Sequence, residues 1–208
     1  MISSFNKSNA AWRIFQGMIL LAAGRREGMI YFEGTVDAFY TSLAPWLAFL
    51  IVDSCQIFVQ SNKMIVAIKL LLSFCVLLLP AVISQVYATK WSCTPLWLRY
   101  ITAATWCNWV TVLVPLLTVI LILSFLPHLI HQPILMKIIL VTVALYGVWL
   151  QWFIARVGLS ISRWRAAVLY ATILCASVLL YVIVALLPPH YVALTDVLQH
   201  HSIGVPKK

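Results

Sequence analysis

The feature that most constrains this 208-residue chain is a series of five apolar stretches, each long enough to cross a bilayer. A helix needs about 20 apolar residues to span roughly 30 Å of hydrocarbon. The stretches with that length and few charges are 38–59, 64–89, 100–125, 134–155 and 166–187. Only 9% of the residues are charged, against about a quarter in soluble domains, which excludes a water-soluble enzyme. The expected fold class is all-α, a polytopic transmembrane helical bundle of about five spans.

Lysine and arginine positions predict the orientation of this bundle. With five spans, the N-terminal segment and the connections at 90–99 and 156–165 fall on one side, which carries nine of the 14 basic residues. Because cytoplasmic loops are enriched in Lys and Arg, we expect a cytoplasmic N-terminus and an external C-terminus. The net charge of +9 suits anionic lipid headgroups, and no basic run indicates a nucleic-acid partner.

The chain divides into three expected segments. They are a cytosolic N-terminal segment (1–37), a five-helix transmembrane domain (38–187) and a flexible C-terminal tail (188–208). We place the membrane in a bacterial cell, as a multi-pass inner-membrane protein with a periplasmic C-terminus. A eukaryotic endomembrane origin stays open.

Residues 10–23 have the pattern of an amphipathic helix lying in the membrane interface. The apolar face consists of Ala11, Trp12, Phe15, Met18, Ile19 and Ala22. Arg13, Gln16 and Gly17 lie opposite. The alternative is a signal peptide that ends at Ala-Ala-Gly, which Gln16 and the following arginine pair disfavour.

Asp53 and Lys69 are ionisable residues inside predicted spans, and such residues are functional candidates. Both lie eight residues from position 61, where the first connection is centred. In an antiparallel hairpin each is then about 12 Å from the turn, at a rise of about 1.5 Å per residue. An ion pair that fixes the hairpin register is the preferred interpretation. A proton- or ion-carrying carboxylate is the alternative, and Lys69 could also extend to the interface.

Three further polar residues are candidates for helix packing or partner contact. Asn108 lies deep in the third span, and an amide there is expected to hydrogen-bond a neighbouring helix. Gln151 lies near the end of the fourth span, and Arg156 follows directly after that span. We assign all three to packing and partner contact rather than to catalysis.

The sequence offers no catalytic, cofactor-binding or metal-binding residues that we would assign. It has no phosphate-binding glycine loop, no serine elbow and no H-E-x-x-H motif. The five cysteines form no C-x-x-C pair. His128 and His131 could bind a metal outside the membrane, although no local Cys or carboxylate accompanies them.

Three segments carry a family resemblance: GTVDAFYTS at 34–42, RYITAATWCNW at 99–109 and YGVWLQWFIAR at 146–156. In their order, the chain resembles small polytopic proteins of alphaproteobacterial type that are similar in layout to the Yip1 family. The resemblance implies five spans and a cytosolic N-terminus. Yip1 proteins act with small GTPases in membrane traffic. This chain lacks their long N-terminal region and Gly-Tyr-rich motifs, so no GTPase-binding residue carries over.

These observations favour a non-enzymatic function. The leading hypothesis is a membrane scaffold or accessory subunit that packs against partner membrane proteins, within a larger complex, or organises lipid. The rival hypothesis is a small transporter or channel with Asp53 and Asn108 on its polar path. A third hypothesis is a periplasmic metal site at His128 and His131.

Overall fold

The computed structural model describes residues 2–59, 63–125 and 133–186, and all regular structure within them is helical. The elements are α1 (Ile2–Ala22), a 3₁₀ helix (Arg26–Tyr31), α2 (Val36–Val59), α3 (Lys63–Lys90), α4 (Thr94–Phe125), α5 (Pro133–Gly158) and α6 (Arg163–Leu186). The all-α prediction is therefore confirmed. The largest difference from the predicted spans is at α4, which begins at Thr94 instead of residue 100.

Five of the helices, α2 to α6, are long and apolar enough to cross a membrane, whereas the apolar part of α1 is shorter. Their outer surfaces are covered with exposed Leu, Ile, Val and Phe side chains. Such surfaces are unfavourable in water and favourable in lipid. The helices indicate a multi-pass membrane protein.

Three helices end in the same type of turn. After α1, the Arg25 N–H donates to the Leu20 carbonyl at 2.8 Å, and Gly24 adopts a φ of +75°. This is a Schellman motif, in which one left-handed residue lets the chain leave the helix sharply. Ser92 after α3 and Ser160 after α5 adopt φ values of 57° and 53° in the same bonding pattern.

The helices form two compact units, and the boundaries between them fall within α2, α3 and α6. The first unit contains residues up to Ala44 together with Ser84–Tyr170. It holds most of the buried side chains of the described chain. The second unit contains Pro45–Ile83 and the chain from Ala171 onward.

In the first unit, the 3₁₀ helix packs against α1 through two glycines. A Cβ on Gly28 would lie only 2.8 Å from the Gly17 carbonyl oxygen, and a Cβ on Gly17 would lie 2.8 Å from Phe32 Cε2. Leu21 and Phe32 are fully buried at this contact. The two elements can approach this closely only because neither glycine has a side chain.

Polar contacts fasten the same region to α4 and α5. The Arg99 guanidinium of α4 donates from Nε to the Phe32 carbonyl oxygen at 3.0 Å and from Nη2 to that of Ile30 at 3.3 Å. The Tyr146 hydroxyl of α5 donates to the Ala22 carbonyl oxygen at 2.8 Å. These bonds satisfy carbonyl groups at the ends of the 3₁₀ helix and α1, which have no partner within their own helix.

The two faces of α1 have different surroundings. Trp12, Phe15 and Ile19, which the sequence places on the apolar face, are 58%, 50% and 52% exposed. Gly17 and Leu21 are buried. The sequence assigned Gly17 to the side away from the membrane, but that side packs on the 3₁₀ helix. The exposed face is the one available to lipid.

Candidate functional site

The antiparallel register of α4 and α5 places the predicted site residues. A Cβ on Gly158 would lie 3.0 Å from Tyr100 Cβ, and one on Gly147 would lie 3.8 Å from Thr111 Cβ. In both pairs the residue numbers add up to 258. Because the two helices are antiparallel, one residue number rises as the other falls, and facing positions on α4 and α5 keep this sum. Asn108 is therefore level with position 150, one residue from Gln151.

Asn108 and Gln151 line one groove of about 350 Å³ in the first unit. Its lining consists of Asn108, Thr111 and Pro115 of α4, Leu140, Val143, Ala144, Gly147, Val148 and Gln151 of α5, and Tyr170 of α6. The structure thus brings together two of the five predicted site residues. Thr111 and Tyr170, which add two hydroxyl groups, were not predicted from the sequence.

Polar groups in this groove retain hydrogen-bonding capacity. The Thr111 hydroxyl donates to the Asn108 carbonyl oxygen at 2.7 Å and lies 3.2 Å from Asn108 Oδ1. Among the described residues, the Gln151 amide and the Tyr170 hydroxyl have no hydrogen-bond partner. All of these side chains are half-buried. They can donate to and accept from a molecule that enters the groove.

Pro115, which also lines the groove, removes one backbone donor from α4. Proline has no N–H, so the Thr111 carbonyl lacks the donor that position 115 of an ordinary helix would supply. In lipid such a carbonyl needs a neighbouring side chain, water or another helix as its partner.

Two residues that line the groove, Gly147 and Ala144, are small. Gly147 faces Thr111 at ordinary contact distance, and Ala144 lies one turn away on α5. Small residues let another helix backbone approach closely. The groove therefore presents amide and hydroxyl groups beside small residues that permit the close approach of a helix.

Asp53 and Lys69 both belong to the second unit, which has an apolar groove of about 650 Å³ that neither of them lines. Its lining residues are Leu47, Leu50, Ile51 and Ser54 of α2 and Ala67, Leu70, Leu71 and Phe74 of α3. Asp53 is exposed and Lys69 half-buried, and their ion pair stays a prediction.

Arg156 lies outside the Asn108–Gln151 groove. Its guanidinium carbon is 5.9 Å from the centre of the Trp152 ring, within the range of a cation–π contact. Arg165, near the start of α6, makes the same kind of contact with Trp91 at 5.7 Å. The aromatic rings thus hold arginine side chains at the end of the bundle.

Among the residues that the structure describes, no three His, Cys, Asp or Glu side chains form a metal-binding group. His128, His131 and the predicted tail lie outside those residues. The metal hypothesis therefore stays a prediction.

The chain matches no protein-family model, no curated protein and no solved structure. Its likeness to the Yip1 family stays a prediction from the sequence.

Proposed function

We propose that this chain is a non-catalytic accessory or scaffold subunit that binds a transmembrane helix of a partner protein in the α4–α5 groove. The observation that carries the proposal is the convergence of Asn108, Gln151 and Tyr170 on one groove within the predicted spans. We further propose a bacterial inner membrane, with the N-terminus in the cytoplasm and the C-terminus in the periplasm.

A partner helix fits this groove better than a lipid tail does. Hydrocarbon offers no hydrogen bonds, so the Gln151 amide and the Tyr170 hydroxyl would remain unsatisfied against it. A polar side chain on a partner helix can satisfy them, at about 0.6–2 kcal/mol per hydrogen bond. The small residues Ala144 and Gly147 allow the close approach that such bonds need.

Basic residues support the proposed orientation and lipid contact. In the first unit, they follow α1 (Arg25, Arg26), end α3 (Lys90), begin α4 (Arg99), end α5 (Arg156) and begin α6 (Arg163, Arg165). A cytoplasmic position places these charges beside anionic headgroups, with about 1 kcal/mol for each residue near the surface.

Photo-crosslinking in the native membrane tests the partner. A photo-crosslinking amino acid is placed at Val148, an exposed residue of the groove, and in a matched chain at Leu145, which is exposed on α5 outside it. We expect one heterologous product from position 148 and none of that size from position 145. Mass spectrometry of the purified product identifies the partner.

Two second-site variants decide whether the groove polarity matters. Gln151→Leu should abolish the product, whereas Thr142→Leu, an exposed polar-to-apolar change elsewhere on α5, should retain it. Equal products from positions 148 and 145 would contradict the proposal. A product containing only two copies of this chain would also contradict it.

A further inference from the structure

A second cavity in the first unit combines charges of both signs with aromatic rings. Its volume is about 380 Å³, at the small end of ligand-binding pockets. Its lining comes from α1, the segment after the 3₁₀ helix, the start of α2, and α4: Ala10, Arg13, Ile14, Tyr31, Phe32, Glu33, Thr35, Asp37, Ala38, Thr41, Thr102 and Trp106. Within the described chain, no residue lines both this cavity and the α4–α5 groove.

The charged groups of this cavity are only partly neutralised by one another. Arg13 Nη1 lies 3.7 Å from Glu33 Oε1, and the two side chains are 50% and 61% exposed. The Asp37 carboxylate has no ion-pair or hydrogen-bond partner among the described residues. The cavity thus holds one cation and two carboxylates, although the whole chain has only five acidic residues.

The start of α2 fixes the position of Asp37. The Ala38 N–H donates to Thr35 Oγ1 at 3.2 Å, which caps the helix. The Thr41 hydroxyl donates to the Asp37 carbonyl at 2.7 Å. The carboxylate is therefore carried on an ordered first turn beside the rings of Tyr31 and Trp106, whose faces attract cations.

We propose that this cavity binds the zwitterionic headgroup of a phospholipid that contains a phosphate and an ammonium group. The ammonium is held by Glu33 and Asp37, and the phosphate pairs with the Arg13 guanidinium, an anion-binding group with a planar fork of donors. A membrane source fits the setting, since Arg13 lies on α1 next to the exposed lipid-available residues Trp12 and Phe15.

Lipid retention by the purified full-length chain tests this site. The chain is reconstituted in nanodiscs of equal phosphatidylethanolamine and phosphatidylglycerol, extracted in mild detergent, and analysed by native mass spectrometry. We expect phosphatidylethanolamine to be enriched, because phosphatidylglycerol has no ammonium group. Asp37→Asn should reduce the enrichment about fivefold, the effect of about 1 kcal/mol from one partly exposed charge pair.

Glu27→Gln is the matched control, because Glu27 is exposed and does not line the cavity. It should leave the enrichment unchanged, and Asp37→Glu should restore most of it. Equal retention of the two lipids, or an unchanged preference in Asp37→Asn, would overturn the proposal.

Two further arms of the experiment distinguish a lipid site from a site for a soluble ligand and from an effect of the α4–α5 groove. Water-soluble glycerophosphoethanolamine should not displace the lipid at millimolar concentration; displacement would show that the site takes a soluble ligand and would overturn the proposal. Gln151→Leu, which disrupts the α4–α5 groove, should keep the lipid preference, so failure of the partner proposal and failure of this one are distinguishable.

Discussion

Replacing Gly28 by alanine tests the contact that joins the 3₁₀ helix to α1. The new Cβ would lie 2.8 Å from the Gly17 carbonyl oxygen and 2.9 Å from the Leu21 backbone nitrogen. Ordinary contacts of a Cβ begin at 3.4 Å. Two of the opposing atoms are backbone atoms, so no side-chain rotation can relieve the overlap. The two elements must separate by about 0.5 Å along their contact.

The expected cost follows from that separation. Overpacking a tight contact costs about 1–3 kcal/mol of unfolding free energy. For a chain of 150–250 residues, each kcal/mol corresponds to about 2–4 °C in Tm. Gly28→Ala should therefore lower the midpoint by about 2–12 °C.

Thermal unfolding in detergent micelles measures this effect through the buried thiol of Cys107. The other four cysteines are replaced by serine, and a fluorogenic thiol reagent reports when Cys107, which is 0% exposed, becomes accessible. Gly34→Ala is the control, because its Cβ would lie 3.5 Å from Arg99 Cβ, an ordinary contact. The close-packing argument is refuted if Gly28→Ala has the same midpoint temperature as the parent chain. It is also refuted if Gly34→Ala lowers the midpoint temperature as much as Gly28→Ala does.

Four further outcomes are expected. Arg99→Ala should lower the unfolding free energy by about 1.5–3 kcal/mol, since the Phe32 carbonyl loses a charged donor, and Arg99→Lys should recover only part of it in the same thermal assay. Tyr146→Phe should cost about 0.5–1.5 kcal/mol and speed trypsin cleavage at the arginines that follow α1, with a gel as the readout. Ser160→Gly should raise the unfolding free energy by about 0.5–1 kcal/mol, because glycine accepts a positive φ without strain. Asp53→Asn should reduce accumulation in the membrane without changing ion flux in liposomes; lost flux at normal accumulation would favour the transport hypothesis.

Antiparallel hairpin geometry explains how much of the α4–α5 site the sequence can predict. The segment between Phe125 and Pro133 is centred on position 129, so a symmetric hairpin has level residues whose numbers add up to 258. The glycine contacts give the same sum. The proximity of Asn108 and Gln151 follows from counting alone. The contribution of Tyr170 does not, because it depends on how α6 packs laterally.

The packing of α1 shows that a hydrophobic pattern does not distinguish the lipid-exposed face of a helix from the face that packs on the protein. In water, an apolar face indicates the side that packs on the protein. In lipid, exposed and packed faces are both apolar, so the pattern of Trp12 and Phe15 leaves the packing side undetermined. The informative residues were Gly17 and Gly28, because glycine marks places where backbones approach closely.

The cavity around Arg13 was not predicted because its residues come from distant segments. Arg13 and Glu33 are 20 positions apart and meet only because the turn at Gly24 folds the 3₁₀ helix back along α1. The one sequence feature that pointed to this cavity was the position of Glu33 and Asp37, two of the five acidic residues, on either side of the start of α2. Their spacing did not indicate that Arg13 lies beside Glu33.

The Schellman turns at Gly24, Ser92 and Ser160 have a consequence for recognising distant relatives of this chain. Lipid-facing Leu, Ile and Val can replace one another at little cost, so the spans are expected to lose detectable similarity quickly during evolution. A left-handed backbone position accepts glycine, asparagine, aspartate or a small polar residue, and excludes β-branched side chains. The three positions are separated by two intervals of 68 residues. Homologues should retain turn-compatible residues at that interval after their spans have diverged.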